Sequence, residues 1–118
     1  MIGMSHYIWS KIPAEKITDK LSRKFISGKS VTLAQFSFKK EGTVVAHSHD
    51  SEQMTCVLTG VLRLRLPDNE VTLGEGEVLY IPSGVEHSAV ALEDTLALDV
   101  FSPIREDWLT GNDGYLRR

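Results

Sequence analysis

The stretch VLRLRLPDNEVTL, residues 61–73, alternates leucine with arginine, turns at Pro67, Asp68 and Asn69, and resumes as a second short run. Strict alternation puts Leu62, Leu64 and Leu66 on one face of an extended chain and Arg63 and Arg65 on the other. With a proline and an asparagine to turn the chain, the two runs form a β-hairpin. Working outward, the same pattern recurs in SVTLAQFSF (30–38), TVVAH (43–47), QMTCVLT (53–59), EVLYI (77–81), HSAVAL (87–92) and TLALDVF (95–101), with Gly, Pro, Asn and Asp between the runs. Short strands at even spacing predict an all-β sandwich or barrel of two antiparallel sheets. The helical candidates are PAEKITDKL near the start, opened by Pro13, and REDWLTG near the end, closed by Gly111.

A chain of 118 residues suffices for one domain with a core and is short for two. The barrel core is expected over 30–102, with an N-terminal arm over 1–29 and a C-terminal segment over 103–118. A net charge of −3 with 25% charged residues gives no basic field for nucleic acid or an anionic membrane, so the expected partner is a small ligand. The single cysteine, Cys56, has no partner for an intramolecular disulfide, and its setting in MTCVL reads as a buried structural thiol. The start of the chain has no apolar leader core, and no run approaches the roughly 20 apolar residues of a membrane span. Cytoplasmic residence is the default expectation.

The stretch HSHDSEQM, residues 47–54, carries the first chemical signal. On a strand, His47 and His49 at i and i+2 share a face with Cα atoms about 6.5 to 7 Å apart, close enough for both imidazoles to reach one cation. Such a pair alone is weak evidence. A third candidate ligand, His87, follows Gly76, Pro82 and Gly84 in GEVLYIPSGVEH, residues 76–87.

Together these stretches resemble the cupin superfamily, whose first motif combines a glycine, an HxH pair, a carboxylate or amide and a later glycine. Its second combines a glycine, a PxG turn and a third histidine. The second motif matches at Gly76, Pro82, Gly84 and His87, with Ala91 in place of its usual final asparagine. The first matches at His47, His49 and Gly60, with Gly42 one residue nearer the histidines than is common. The resemblance spans residues 42–91 and implies a single-domain jelly-roll barrel holding one divalent metal ion. The family's fourth ligand lies four residues after the second histidine, which is Gln53. Neighbouring strand residues face opposite sides, so Glu52 is expected to point away, unless the loop before the strand turns it inward.

The last strand adds a second group. Asp99 and Phe101 share one face of TLALDVF, and Arg105 follows four residues on. A carboxylate among apolar residues is costly without a partner or a task. If its face is the barrel interior, Asp99 is a candidate acid or base, Phe101 an apolar wall and Arg105 a clamp for a substrate carboxylate. The competing reading is an ion pair of Asp99 with Arg105 or Arg63 that holds the sheet.

The segment DVFSPIREDW, with HSHDSEQ and the short single-barrel length, resembles the KdgF family of pectin and alginate degradation. That resemblance implies a metal held by His47, His49, Gln53 and His87, catalytic roles for Asp99, Phe101 and Arg105, and a small anionic sugar as substrate. The implied reaction converts 4,5-unsaturated uronate monosaccharides into the linear 4-deoxy-5-keto-hexuronate. Zinc, nickel, manganese or iron would serve as the metal, and a homodimer is expected, favoured by an open β-edge near 30–38. Two other functions stay open: a metal-dependent cupin dioxygenase acting on another small molecule, and a noncatalytic sugar-binding module.

The remaining residues read as follows. Arg63 is a substrate anchor if it points inward and part of a solvated face if not. Met54, Cys56 and Leu58 oppose Gln53 and are expected to pack. Tyr7 and Trp9 read as strand residues at a subunit contact, His6 as surface, and Trp108 as packing for a C-terminal helix.

Overall fold

Ten strands form in the computed structural model, which describes residues 3–118: β1 (Glu15–Thr18), β2 (Leu21–Ser27), β3 (Thr32–Phe38), β4 (Thr43–His47), β5 (Glu52–Thr59), β6 (Leu62–Arg65), β7 (Glu70–Leu73), β8 (Val78–Ile81), β9 (His87–Ala91) and β10 (Thr95–Ser102). They pair antiparallel in a six-stranded sheet, order β1-β2-β3-β10-β5-β8, and a four-stranded sheet, order β4-β9-β6-β7. The two sheets face each other across one core, giving the all-β two-sheet barrel expected from the alternation in the jelly-roll form that the cupin resemblance implies.

The hairpin of residues 61–73 forms as β6 and β7, with Leu62 opposite Leu73 and Leu64 opposite Val71. Leu62, Leu64 and Leu73 are buried with Phe36, Phe38 and Val57 between the sheets, and burial of such side chains stabilises by about 1.5 to 3 kcal/mol each. Arg63 and Arg65 are exposed on the other face. Arg63 is therefore not an inward substrate anchor: the alternation that buries the leucines of β6 turns its guanidinium to solvent.

PAEKITDKL is not a helix. It supplies β1 and the start of β2, so residues 15–27 belong to the six-stranded sheet rather than to an arm. The pairing needs Arg23 inside, where it is almost fully buried between Glu15 (2.7 Å) and Asp113 (2.8 Å) and lies over the rings of Phe25 and Trp108. Tyr7 is exposed and outside any strand, and Trp9 opens a short 3-10 turn, Trp9–Lys11. The stretch 30–38 is not an open edge, because β3 lies between β2 and β10 and the edges of that sheet are β1 and β8.

Met54 and Leu58 do oppose Gln53, but they lie on the outer face of the sheet, where both are exposed and Cys56 is half-buried. The C-terminal helix forms as α1 (Glu106–Leu109), and Gly111 follows it with φ of 77°, a backbone conformation that costs glycine little. A second 3-10 turn, Gly114–Arg117, ends the chain against the barrel mouth. Among the described residues no helix is long and apolar enough to cross a membrane.

Candidate metal centre and active site

Strand register builds the site. His47 ends β4 and His87 opens β9, and the two are directly opposed in the ladder between those strands, which brings their rings to 4.4 Å. His49 lies two residues past the end of β4, in the loop rather than on the strand, and its ring still comes within 5.4 Å of His47 and 5.0 Å of His87. One nitrogen from each of the three lies within 4.8 Å of the others.

Each imidazole is oriented by the backbone. His47 Nδ1 donates to the Val45 carbonyl at 2.8 Å, His49 Nδ1 to the Ser51 carbonyl at 2.9 Å, and His87 Nδ1 to the Val85 carbonyl at 2.8 Å. These bonds fix the proton on Nδ1 and leave Nε2 as a lone pair. Burial lowers the pKa of His47 and of His49 to about 4, with the neighbouring histidines and the Arg105 charge acting in the same sense, and burial also lowers that of His87. All three are neutral near pH 7, as ligands must be.

The residues fit a cation by their unmet needs. His87 Nε2 is buried without a hydrogen-bond partner, which is costly for a polar atom. Gln53 is buried on β5, and its amide nitrogen donates to Thr55 Oγ1 at 2.9 Å. Its Oε1 is thereby left 3.1 Å from His49 Nε2, so two lone pairs face each other, an arrangement that a divalent ion resolves. Glu52 points the other way: it is exposed and accepts a hydrogen bond from the Tyr80 hydroxyl at 3.0 Å.

Across from the histidines stands the six-stranded sheet. Asp99 pairs in register with Thr55, and Phe101 with Gln53, so all four point into the cavity that His47 and His87 also line. Asp99 is buried, its Oδ1 has no partner, and among the described residues it forms no ion pair with Arg105 or Arg63. Burial pushes its carboxyl up to about 6, against the opposing pull of Thr55, the Arg105 charge and Gln53. Arg105 is buried beside the cavity, stacked on Phe101 at 4.8 Å and on Trp108 at 4.5 Å. Its guanidinium is held by Asp107 through Nε at 3.0 Å and Nη2 at 2.8 Å.

The cavity thus gathers His47, Gln53, His87, Asp99, Phe101 and Arg105, with His49 against both His47 and Phe101; Arg63 is not part of it. It also contains side chains that the sequence did not single out for the site. Thr55 is one, and the two-residue period that places Gln53 inward would have placed it too. Trp108 lines the cavity as well as packing α1, while Tyr115 arrives from beyond Gly111, in a segment with no periodicity to signal it.

The cupin domain family matches residues 34–102, which include every histidine of the cluster. The chain belongs to the cupin family. Among solved structures this cupin is similar to KdgF from Halomonas sp., at 26% identity and a TM-score of 0.82, covering 88% of this chain and 99% of that one. An RmlC-like cupin from Shewanella frigidimarina shares the fold at 23% identity and a TM-score of 0.83, covering 90% of this chain and 96% of its own. So does the polyketide cyclase RemF from Streptomyces resistomycificus, at 24% identity and a TM-score of 0.72, with coverages of 86% and 80%. No curated protein matches the chain closely enough to count as a relative.

Proposed function

We propose that this cupin opens and ketonises 4,5-unsaturated uronate monosaccharides to the linear 4-deoxy-5-keto-hexuronate, with His47, His49, Gln53 and His87 holding one divalent ion. The observation that carries the reading is Asp99, a buried carboxyl without an ion pair, aimed into the cavity lined by the histidines. The likeness to KdgF from Halomonas sp. supports the same reaction.

The chemistry asks for one mobile proton and no change of oxidation state. Breaking the bond between C1 and the ring oxygen, with loss of the anomeric hydroxyl proton, turns C1 into an aldehyde and leaves an enolate at C5. Returning that proton to C4 turns the enolate into the ketone. A carboxyl with a pKa near 6 is suited to both halves, taking the anomeric proton as its anion and delivering it to carbon as its acid. The three imidazoles are poor candidates for that relay, because their Nδ1 protons are committed to carbonyls. Phe101 gives the sugar ring an apolar wall, and Arg105 presents a guanidinium to its carboxylate. A divalent ion, when bound, supplies electrophilic polarisation of the substrate's oxygens.

The test follows loss of the conjugated ultraviolet chromophore of unsaturated galacturonate and mannuronate. The metal-loaded protein is expected to accelerate its decay; a rate equal to the spontaneous one sinks the proposal. Asp99→Asn is expected to abolish the acceleration while metal content stays at the wild-type level, and His49→Ala to lose the metal itself.

We also propose that the functional unit is a homodimer formed through the outer face of the six-stranded sheet. Ile26, Leu33, Val100, Met54 and Tyr80 are successive partners in the ladder and make an apolar row about 19 Å wide across five strands. Met54, Val78 and Tyr80 stay 52%, 57% and 49% exposed there, an apolar surface that a second copy of the sheet would cover.

A further inference from the structure

Tyr115 reaches the histidine cavity from outside the barrel strands. Its ring centroid lies 4.9 Å from that of His47, and it lines the cavity together with His87, Asp99 and Arg105. Its hydroxyl accepts a hydrogen bond from Arg105 Nη2 and donates to Asp107 Oδ2 at 3.2 Å.

The turn that carries Tyr115 is fixed to the barrel two residues earlier. Asp113 is buried, accepts from Arg23 at 2.8 Å and pairs with Arg117 at 3.1 Å, while Arg117 also reaches Glu15 at 2.9 Å. The bonds to Arg23 and Glu15 tie the C-terminal turn to β2 and β1. The phenol is therefore held in place rather than resting there by chance.

Arg105 makes the position of that phenol consequential. Two of its nitrogens are committed to Asp107, so the pair carries little net charge and an incoming carboxylate gains less from the guanidinium than an unpaired arginine would give. The Tyr115 hydroxyl is a neutral donor at the same corner, and its bond to Asp107 is long for an O–H donor. Asp107 keeps both hydrogen bonds from Arg105 if that proton turns elsewhere.

We propose that Tyr115 is a specificity-determining residue: its hydroxyl turns from Asp107 to the carboxylate of an anionic sugar and shares recognition of that anion with Arg105. The inference rests on the reading of the cavity as a sugar-binding site, and it deepens that reading by assigning a carboxylate contact to the C-terminal turn. Burial raises the pKa of Tyr115, which keeps the donor protonated at neutral pH.

Titration calorimetry with galacturonate and with galactose, two unreactive probes that differ in the carboxylate, tests it on the metal-loaded full chain. Wild type is expected to prefer galacturonate, and Tyr115→Phe to lose about tenfold in affinity for it, the scale of one hydrogen bond to a charged group, with galactose binding changed by less than about twofold. Metal content should not change, because the ring stays in place beside His47. With the unsaturated uronate as substrate, the same variant should raise KM by a similar factor and leave kcat alone. Equal preference for galacturonate in wild type and Tyr115→Phe overturns the inference, as does a wild type that does not distinguish the two sugars. The ketonisation proposal is decided separately, by turnover. A lost preference in Tyr115→Phe without wild-type turnover keeps Tyr115 and rejects the reaction; turnover with an unchanged preference does the reverse.

Discussion

Asp99 bears an energetic cost for its position. Its carboxyl titrates near 6 rather than at 3.8, so between those values the folded state holds a proton that the unfolded chain has released. Folding stability from this group therefore falls as pH rises through that window, and above pH 6 the whole cost is present. At about 1.4 kcal/mol per pH unit, the displacement from 3.8 to about 6 amounts to about 3 kcal/mol. Asp99→Asn carries no charge to desolvate. The metal-free variant is expected to exceed wild type in stability by up to about 3 kcal/mol at pH 8, with the gap closing near pH 4, as measured by urea unfolding across pH. An unchanged gap across that range would mean that Asp99 is solvated. Loss of turnover with a gain in stability is the signature of a residue retained for chemistry. At this scale alternation set Gln53 and Glu52 on opposite faces and Asp99 and Phe101 on one face, while it was the family motif that named Gln53 as the inward residue. Whether Arg63 pointed inward was not legible, because alternation assigns two faces without saying which one is the core.

At the scale of elements, the strands that were missed explain themselves. β2 carries Arg23 at an inward position, and one of its partners, Asp113, is 90 residues away in sequence. Until that partner is known, LSRKFIS looks like a polar segment instead of a half-buried strand. The C-terminal turn was missed for the converse reason, since it has no periodicity and is held by ion pairs to β1 and β2. Those pairs set an expectation. Arg23 is nearly fully buried, and its other carboxylate partner, Glu15, is 45% exposed, so Asp113→Ala leaves a buried guanidinium poorly compensated. Equilibrium unfolding should show a loss of about 3 kcal/mol; a loss within about 0.5 kcal/mol, the range of an ordinary surface substitution, would show that Glu15 alone suffices.

For the whole molecule, the histidine-lined cavity and the exposed sheet face lie on opposite sides of the six-stranded sheet. The proposed dimer can therefore be broken without touching the site. Sedimentation of wild type at micromolar concentration is expected to give a dimer, and the double variant Met54→Asp, Tyr80→Asp a monomer with the same metal content. A monomeric wild type removes the proposed interface. Removal of the proposed ion should act on the fold in another way. Any ligand that binds only the folded chain adds stability by mass action, about 2.7 kcal/mol at a free concentration 100 times its Kd. Chelation should therefore lower the melting temperature, and restored zinc or nickel should return it; a midpoint indifferent to chelator would argue against the four-residue ligand set.

The three histidines are carried by β4, β9 and the loop after β4, whereas Asp99, Phe101 and Thr55 stand on β10 and β5 of the opposite sheet. Two walls of separate origin meet across one cavity. A substitution on β10 can change which proton moves, or what the cavity holds, while the imidazoles keep their carbonyl anchors and their spacing. Gln53, the proposed fourth ligand, also stands on β5, so in the proposed enzyme the β10 residues Asp99 and Phe101, rather than the whole wall opposite the histidines, are where a change of substrate should first be written.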